Sequence, residues 1–459
     1  MNFFFNEKVG VLGLGKTGTS SIEFLKKKGF SIFGWDDNKK ILSRIKNKNS
    51  KIKILSKLNI KEMTFLIVSP GIPSSGKKKH LILKEAEKEK VEILNDIELF
   101  YRFNPQEKFI GVTGTNGKST TVSLLSHVFK KLNINHTLSG NIGEPIFEIK
   151  KYKKVFNILE ISSFQLEVMT RTRFKVAILL NISKDHIERH QSFKKYLNEK
   201  TKIFNNQLEN DISIIGIDNK ETFALSKRLK KKLNSKIITI SGKNNRSDIY
   251  IKNHYLIINF FFRKKKIYKK INLKQFKNFT GEHNYQNIAA VYAVLLSLNL
   301  QNWKESDKYI KSFKVLPHRL EKIRQIDGTT FVNDSKATNI DATKQALKNF
   351  KNIYLILGGR VKEKNLYKLK KYFNRIKHVF LVGETKYIYE KYLKNFLQCT
   401  ISKNLEDAVK RSYFLIKEES KKSKNNSVIL LSPACSSLDE WKNFEDRGNA
   451  FVKFVKKLK

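Results

Sequence analysis

Phe109-Ile110-Gly111-Val112-Thr113-Gly114-Thr115-Asn116-Gly117-Lys118-Ser119-Thr120 decides the fold of this chain. The apolar start predicts a buried strand, the glycines a tight loop, and the amphipathic run from Lys118 onward a helix. Strand, glycine loop and helix N-terminus in that order form a phosphate cradle. Backbone N–H groups approach phosphate oxygens, the helix end adds positive potential, Lys118 can reach the β- and γ-phosphates, and Ser119 can ligate magnesium. The strict P-loop spacing places a glycine at position 112, where this chain has Val112.

Outward from this loop, short apolar runs alternate with amphipathic stretches almost from end to end, the rhythm of a parallel α/β protein. The first pair is strand-like Val9 to Leu12 and helix-like Ser20 to Lys28, stopped by Gly29. Further buried strands are expected at Phe65 to Val68, Val176 to Ile182, Tyr354 to Leu357, Val379 to Val382 and Val428 to Leu431. Between Ile249 and Leu273, β-rich segments separated by Lys/Asn-rich turns predict a small extra antiparallel hairpin or sheet. At 459 residues the chain has room for about three domains. Polar Arg102 to Glu107, and Asn299 to Asp307 after the helix-like Tyr285 to Leu298, set the divisions: 1–100, 101–300 and 301–459.

Near the N-terminus, Gly13-Leu14-Gly15-Lys16-Thr17-Gly18 follows a strand, and Asp36 closes the next one. This is the dinucleotide fingerprint G-x-G-x-x-G with an acid about 20 residues on. Amides aimed at a diphosphate and a carboxylate aimed at a ribose or base serve NAD and a UDP-sugar equally well.

The charge would ordinarily suggest nucleic acid, since 91 Lys and Arg against 42 Asp and Glu give a formal net charge of +49. Its distribution argues otherwise. Lysines are scattered through every segment beside abundant Asn, Ile and Phe, as expected when an AT-rich genome acts on solvated faces. Lys77 to Lys79, Lys230 to Lys232 and Lys264 to Lys266 fall in turn-like or hairpin-like stretches without the interleaved aromatics of a base-stacking platform. No specific nucleic-acid partner is expected, only salt-sensitive attraction to polyanions, nucleotide substrates included. Two cysteines, Cys399 and Cys435, make no disulfide framework and point to a reducing compartment. No apolar run approaches the roughly 18 residues of a membrane span, and Phe3 to Phe5 is too short for a signal peptide's apolar region. A cytoplasmic monomer with no membrane span is expected.

Gly114-Thr115-Asn116-Gly117-Lys118-Ser119-Thr120 resembles the ATP loop of the Mur ligases and their folylpolyglutamate synthase relatives. The likeness continues in order through Glu160-Ile161-Ser162-Ser163-Phe164-Gln165-Leu166-Glu167 and Asn181-Ile182-Ser183-Lys184-Asp185-His186-Ile187-Glu188-Arg189-His190. It includes Gly281 to Asn287, Leu316 to Glu321, Asn333 to Asn339 and Leu431 to Ser437, and so covers essentially the whole chain. The resemblance implies three α/β domains: an N-terminal Rossmann-like domain for a UDP substrate, a central P-loop ATPase, and a C-terminal Rossmann-like domain for an amino acid. It also implies an acyl-phosphate route to an amide, with UDP-N-acetylmuramoyl-L-alanine and D-glutamate as substrates, ATP and Mg²⁺ as cofactors, and closure to exclude water.

Residue by residue, the resemblance assigns Gly114, Thr115, Asn116, Gly117, Lys118, Ser119 and Thr120 to ATP, with Asn287, Arg319 and Asp334 around its adenine, ribose or phosphates. Lys118, Glu160, His186 and Lys200 become the catalytic group. Ser119, Glu160, His186 and a carbamylated Lys200 form the metal set, with oxygen donors suited to magnesium. Lys16, Thr17, Asp36, Gly71 and Asn141 fall to the UDP substrate, and Lys336, Thr338, Lys362, Ser437, Leu438 and Phe444 to D-glutamate. Three rivals stand beside this expectation. A folylpolyglutamate synthase or another Mur ligase would share the chemistry with a different acceptor, but the Ser162 to Glu167 and Ser432 to Cys435 signatures weigh against it; an NAD oxidoreductase leaves the ATP loop idle; a nucleic-acid binder explains the charge but none of the motifs.

Overall fold

The structure, a computed structural model, describes residues 7–48, 52–74, 76, 79–148, 155–185, 187–243, 246–262, 265–276, 279, 282–300, 303–314, 316–361, 366–420 and 426–458. Among them, three sheets organise the chain. The first has five parallel strands: β1 (Lys8–Leu12), β2 (Ser31–Trp35), β3 (Lys53–Ile54), β4 (Phe65–Val68) and β5 (Glu92–Leu94), in the order β3-β2-β1-β4-β5. Val9, Val11 and Leu12 are fully buried, because helices cover both faces of a parallel sheet and its strands can be apolar on both sides.

The central sheet has nine strands. They are β6 (Lys108–Thr113), β7 (His136–Gly140), β8 (Phe156–Glu160), β9 (Phe174–Leu179), β10 (Ile212–Gly216), β11 (Lys236–Ile240), β12 (Ile249–Lys252), β13 (Tyr255–Phe262) and β14 (Lys265–Asn272). Their order is β14-β13-β12-β11-β10-β9-β6-β8-β7, so β6 lies well inside, between β9 and β8. The antiparallel segment expected at 249–273 is present, but it is no separate sheet. β12 pairs parallel with β11 and then β13 and β14 add antiparallel, prolonging the central sheet at one edge.

The third sheet has β15 (Glu321–Ile326), β16 (Thr329–Asn333), β17 (Ile353–Gly358), β18 (Ile376–Val382), β19 (Cys399–Ile401) and β20 (Ser427–Leu431), in the order β15-β16-β20-β17-β18-β19. Only β15 runs antiparallel to its neighbour. The chain forms two compact units: Met1–Phe276 with Asn284–Phe313, and Lys277–His283 with Lys314–Lys459. The first unit runs past residue 300 because the helix Ser306–Ser312 packs on the helix Lys118–Lys131.

Two expectations need correction. Val176 to Ile182 stops being strand at Leu179: Leu180 makes the last bond to the neighbouring strand, through the Thr113 carbonyl, and Asn181 bonds instead to the glycine loop. Lys230 to Lys232 lies in the last turn of the helix Lys220–Lys232, where cations meet the negative end of the helix dipole, and not in a turn. Among the described residues no helix is long and apolar enough to cross a membrane.

Candidate active site

In a parallel sheet all strands point the same way, so whatever follows their C-terminal ends gathers on one edge. Val112 of β6 is in register with Glu160 of β8 and Ile178 of β9, and Gly140 of β7 with Glu160. The glycine loop, Glu160, Asn141 and the Asn181 segment therefore emerge side by side. Gly117 caps the helix Lys118–Lys131 at φ +88, a left-handed conformation that costs any side chain, and a Cβ there would collide with the Asn287 amide oxygen. Asn287 also accepts from the Thr121 hydroxyl at 3.2 Å.

The loop is braced from outside. Thr115 N donates to Asn181 O and Asn116 N to Asn181 Oδ1, both at 2.9 Å, while Asn181 Nδ2 donates to Asn116 O at 3.1 Å and Gln286 Oε1 at 3.0 Å. Thr115 Oγ1 exchanges bonds with the Ser183 backbone and lies 3.1 Å from the Tyr196 hydroxyl, whose acidity burial suppresses. Asn181 and Gln286 had no assigned role; their place just past a strand end and on the Asn287 helix was the available signal. Ser119 and Thr120, in the helix's first turn, are buried.

Two lysine side chains converge on this loop. Lys118 Nζ donates to Gly114 O at 2.9 Å and Thr115 O at 3.0 Å. Lys200 Nζ, on the helix Phe193–Thr201, donates to the same Gly114 O at 2.9 Å and to Thr113 Oγ1 at 3.2 Å. Lys200 is only 2% exposed. Burial, and then the Lys118 charge, hold its amine well below the usual lysine range, against the opposing pull of Asp185 and Glu160. Glu160 is 2% exposed, and its Oε2 has no hydrogen-bond partner among the described residues. An orphaned buried carboxylate oxygen invites a cation. Magnesium takes oxygen ligands, keeps waters and uses few carboxylates besides substrate phosphates, so Glu160 and the Ser119 hydroxyl fit it. His186 lies outside the described residues.

The first glycine turn is built differently. Asp36, just past β2, accepts from Leu14 N at 2.7 Å and Asn38 N at 2.8 Å, tying the turn to the neighbouring strand. A Cβ on Gly18 would strike the Gly13 carbonyl, so this third glycine lets the helix Lys16–Lys27 pack on the turn. Lys16 is exposed and Thr17 half-buried; Gly71 and Asn141 are exposed. Asn141 N donates to Glu160 O at 2.9 Å, which brings it to the 114–118 glycine loop's edge of the central sheet. Arg189, also without an assigned role, donates to Ile72 O at 3.2 Å and Ser74 Oγ at 2.7 Å with its guanidinium 3.4 Å from the Phe164 ring centre. It ties the segment after Gly71 to the helix Ser163–Glu167.

In the second unit, Asp334 is buried after β16, accepting from Ser432 Oγ at 2.8 Å and, more weakly, Leu320 N at 3.3 Å. Burial pushes its carboxyl up to about 7, with Arg319 among the groups pulling back. Lys336 Nζ sits 3.6 Å from the Phe444 ring centre. Thr338 donates its backbone N–H to Lys336 O at 2.8 Å, Ser437 is buried at 3% exposure, and Leu438 is exposed. Lys336 and Thr338 follow β16, Ser437 and Leu438 follow adjacent β20, and Phe444 opens the helix Phe444–Lys456. Lys362 lies outside the described residues.

Comparison with known proteins covers all three sheets. Residues 7–95 match the Mur ligase MurD-like N-terminal domain, 112–295 the Mur ligase middle domain, and 318–435 the Mur ligase glutamate ligase domain. The chain is 36% identical to a UDP-N-acetylmuramoylalanine--D-glutamate ligase of Rickettsia prowazekii over 100% of this chain and 99% of that protein. It is 33% identical to the protein of the same name in Caldicellulosiruptor saccharolyticus, over 99% of each. Among solved structures, a UDP-N-acetylmuramate-alanine ligase of Thermotoga maritima is similar with a TM-score of 0.58 and 18% identity, covering 98% of this chain and 100% of that one. A MurF ligase from the same organism in complex with ADP gives 0.56 and 17%, covering 99% and 96%. The solved structures share the fold, the curated relatives share the sequence along its whole length, and the chain belongs to the Mur ligase family of ATP-dependent, amide-forming ligases.

Proposed function

We propose that this chain joins D-glutamate to UDP-N-acetylmuramoyl-L-alanine, converting ATP to ADP and phosphate, as a cytoplasmic monomer in peptidoglycan precursor synthesis. Residues 1–100 receive the UDP substrate, 101–300 ATP, and 301–459 D-glutamate. The observation that carries the reading is the meeting of Lys118 and Lys200 on the Gly114 carbonyl, beside Glu160.

In the first step a carboxylate oxygen of the UDP substrate attacks the γ-phosphorus and the bond to ADP breaks, leaving an acyl phosphate. Lys118 holds the γ-phosphate and offsets its charge, while the loop amides orient it in line. In the second, the D-glutamate nitrogen attacks the acyl carbon, the C–O bond to phosphate breaks, and the nitrogen loses a proton. Lys336 and its neighbours hold the amino acid's carboxylates. Magnesium, which Ser119 and Glu160 would hold with His186, would supply charge neutralisation at the phosphates.

Lys200 works here as a carbamate. Burial and the Lys118 charge hold the Lys200 amine well below the usual lysine range, which favours the uncharged form that adds to CO₂ with loss of a proton, and the product places an anionic oxygen donor next to Glu160. The test is product analysis. Supplied with ATP, Mg²⁺ and UDP-N-acetylmuramoyl-L-alanine, the protein should yield an amide adduct with D-glutamate and none with L-glutamate, D-alanine or L-lysine. An adduct formed only with a folate acceptor would keep the chemistry and move the pathway.

A further inference from the structure

The helix Phe444–Lys456 carries, one turn in, a buried arginine that no step above uses. Arg447 is 3% exposed. Its Nε donates to Ser335 Oγ at 3.0 Å, and its Nη2 donates to Ser335 O at 2.9 Å and Cys435 O at 3.2 Å. Ser335 Oγ passes the linkage on, donating to Phe444 O at 2.9 Å. One side chain thus fastens three segments: the turn after β16, the turn after β20, and the opening of its own helix.

Those segments carry the described D-glutamate candidates. Lys336 and Thr338 sit next to Ser335, Ser437 and Leu438 follow Cys435, and Phe444 is the residue whose carbonyl Ser335 holds. The neighbouring residue locks the same junction, since Gly448 O accepts from Asn333 Nδ2 at 3.0 Å and a Cβ on Gly448 would collide with the His318 imidazole. His318 O in turn receives Lys336 N at 3.1 Å. Burial lowers the Arg447 guanidinium to about 10, with Cys435, Asp439, Glu440 and Asp334 opposing, so it remains charged at neutral pH. Its Nη1 has no hydrogen-bond partner among the described residues. A guanidinium can serve both carbonyls and the hydroxyl from one plane, and an ammonium on a flexible stem cannot.

We infer that Arg447 is a positioning residue for the incoming amino acid, setting the spacing between Lys336, Ser437 and Phe444 without touching substrate. The inference rests on the assignment of these residues to D-glutamate above. A misplacement near 1 Å at a reacting site costs on the order of a hundredfold, so loosening this junction should be visible in kinetics.

The experiment is Arg447→Lys in the full-length protein, with three readouts. Its KM for D-glutamate should rise at least about tenfold. Its KM for ATP, and acyl-phosphate formation without D-glutamate, trapped by borohydride reduction, should stay within about twofold of the wild type. If the lysine variant does not fold, Ser335→Ala removes the hydroxyl that accepts from Arg447 Nε and donates to Phe444 O, leaves the two Nη2 bonds to backbone carbonyls, and should raise the same KM about threefold, again alone. Loss spread over all substrates in step with a fall in melting temperature, or no change in any KM, would overturn the inference. A wild-type enzyme with no D-glutamate dependence would instead sink the substrate assignment, and the two failures are read in one assay.

Discussion

The chain makes the same turn twice, strand to glycine loop to helix, and closes it with different side chains. At Gly13 to Gly18 an anion closes the turn, with the Asp36 carboxylate taking the Leu14 N–H while Lys16 stands in solvent. At Gly114 to Lys118 two lysine side chains close it, both donating to the Gly114 carbonyl, Lys118 half-buried and Lys200 out of solvent's reach. Exposed charge is screened and moves little energy, whereas charge in a dry pocket acts at low effective dielectric. The first turn is therefore suited to docking a diphosphate and the second to stabilising charge that develops in a reaction. Backbone pattern alone does not separate these jobs; the side chains lent by neighbouring elements do.

The contrast breaks hardest at Lys200. Lys200→Ala should lower kcat about a hundredfold, as loss of a preorganised charged group does. Short carboxylates added in solution should restore part of it, and full activity in the variant would remove the carbamate. Next is Asp36→Asn, which keeps an acceptor but loses the charge: the KM for the UDP substrate should rise roughly tenfold, in line with the ~1.5 kcal/mol of a charge-assisted bond. The KM for ATP should not move.

The glycines sharpen the comparison through stability. Gly117→Ala forces a Cβ into a left-handed position against Asn287 and should cost at least ~1–2 kcal/mol by denaturant unfolding. Gly15→Ala, at φ −67 with nothing within 4 Å, should be neutral or slightly stabilising. The smallest effect contrasts Asp36 with Asp96, a buried carboxylate whose Oδ1 has no hydrogen-bond partner among the described residues. Burial raises Asp96 to about 6 from 3.8. Its stabilising contribution is complete below 3.8 and is lost as pH rises through 6. Asp96→Asn should thus melt a few degrees above the wild type at pH 8 and level with it at pH 4, and a difference independent of pH would contradict this.

What the sequence carried well was whatever is local. The strand at Phe109 to Val112, the loop after it and the helix from Lys118 follow from adjacent residues, and Lys118 and Glu160 lie where strand ends place them. Residues whose part depends on distant partners were less legible. Asn181 looks like the end of a strand until its three bonds to the second glycine loop are seen, and Arg189 and Arg447 work through carbonyls far away in sequence. The hairpin at 249–273 was visible as strands, but its attachment to β11 rests on the edge pairing Ile240 with Ile249, which no local pattern encodes.

The most direct test is phosphate release with ATP, Mg²⁺, UDP-N-acetylmuramoyl-L-alanine and D-glutamate, comparing the wild type with Lys118→Ala and Lys16→Ala. Lys118→Ala should lower kcat about 10²- to 10³-fold. Lys16→Ala should leave kcat unchanged and raise only the KM for the UDP substrate, by roughly fivefold, the ~1 kcal/mol ceiling of an exposed charge contact. Comparable losses of kcat in both variants, or none in Lys118→Ala, would contradict the division of labour between the two turns.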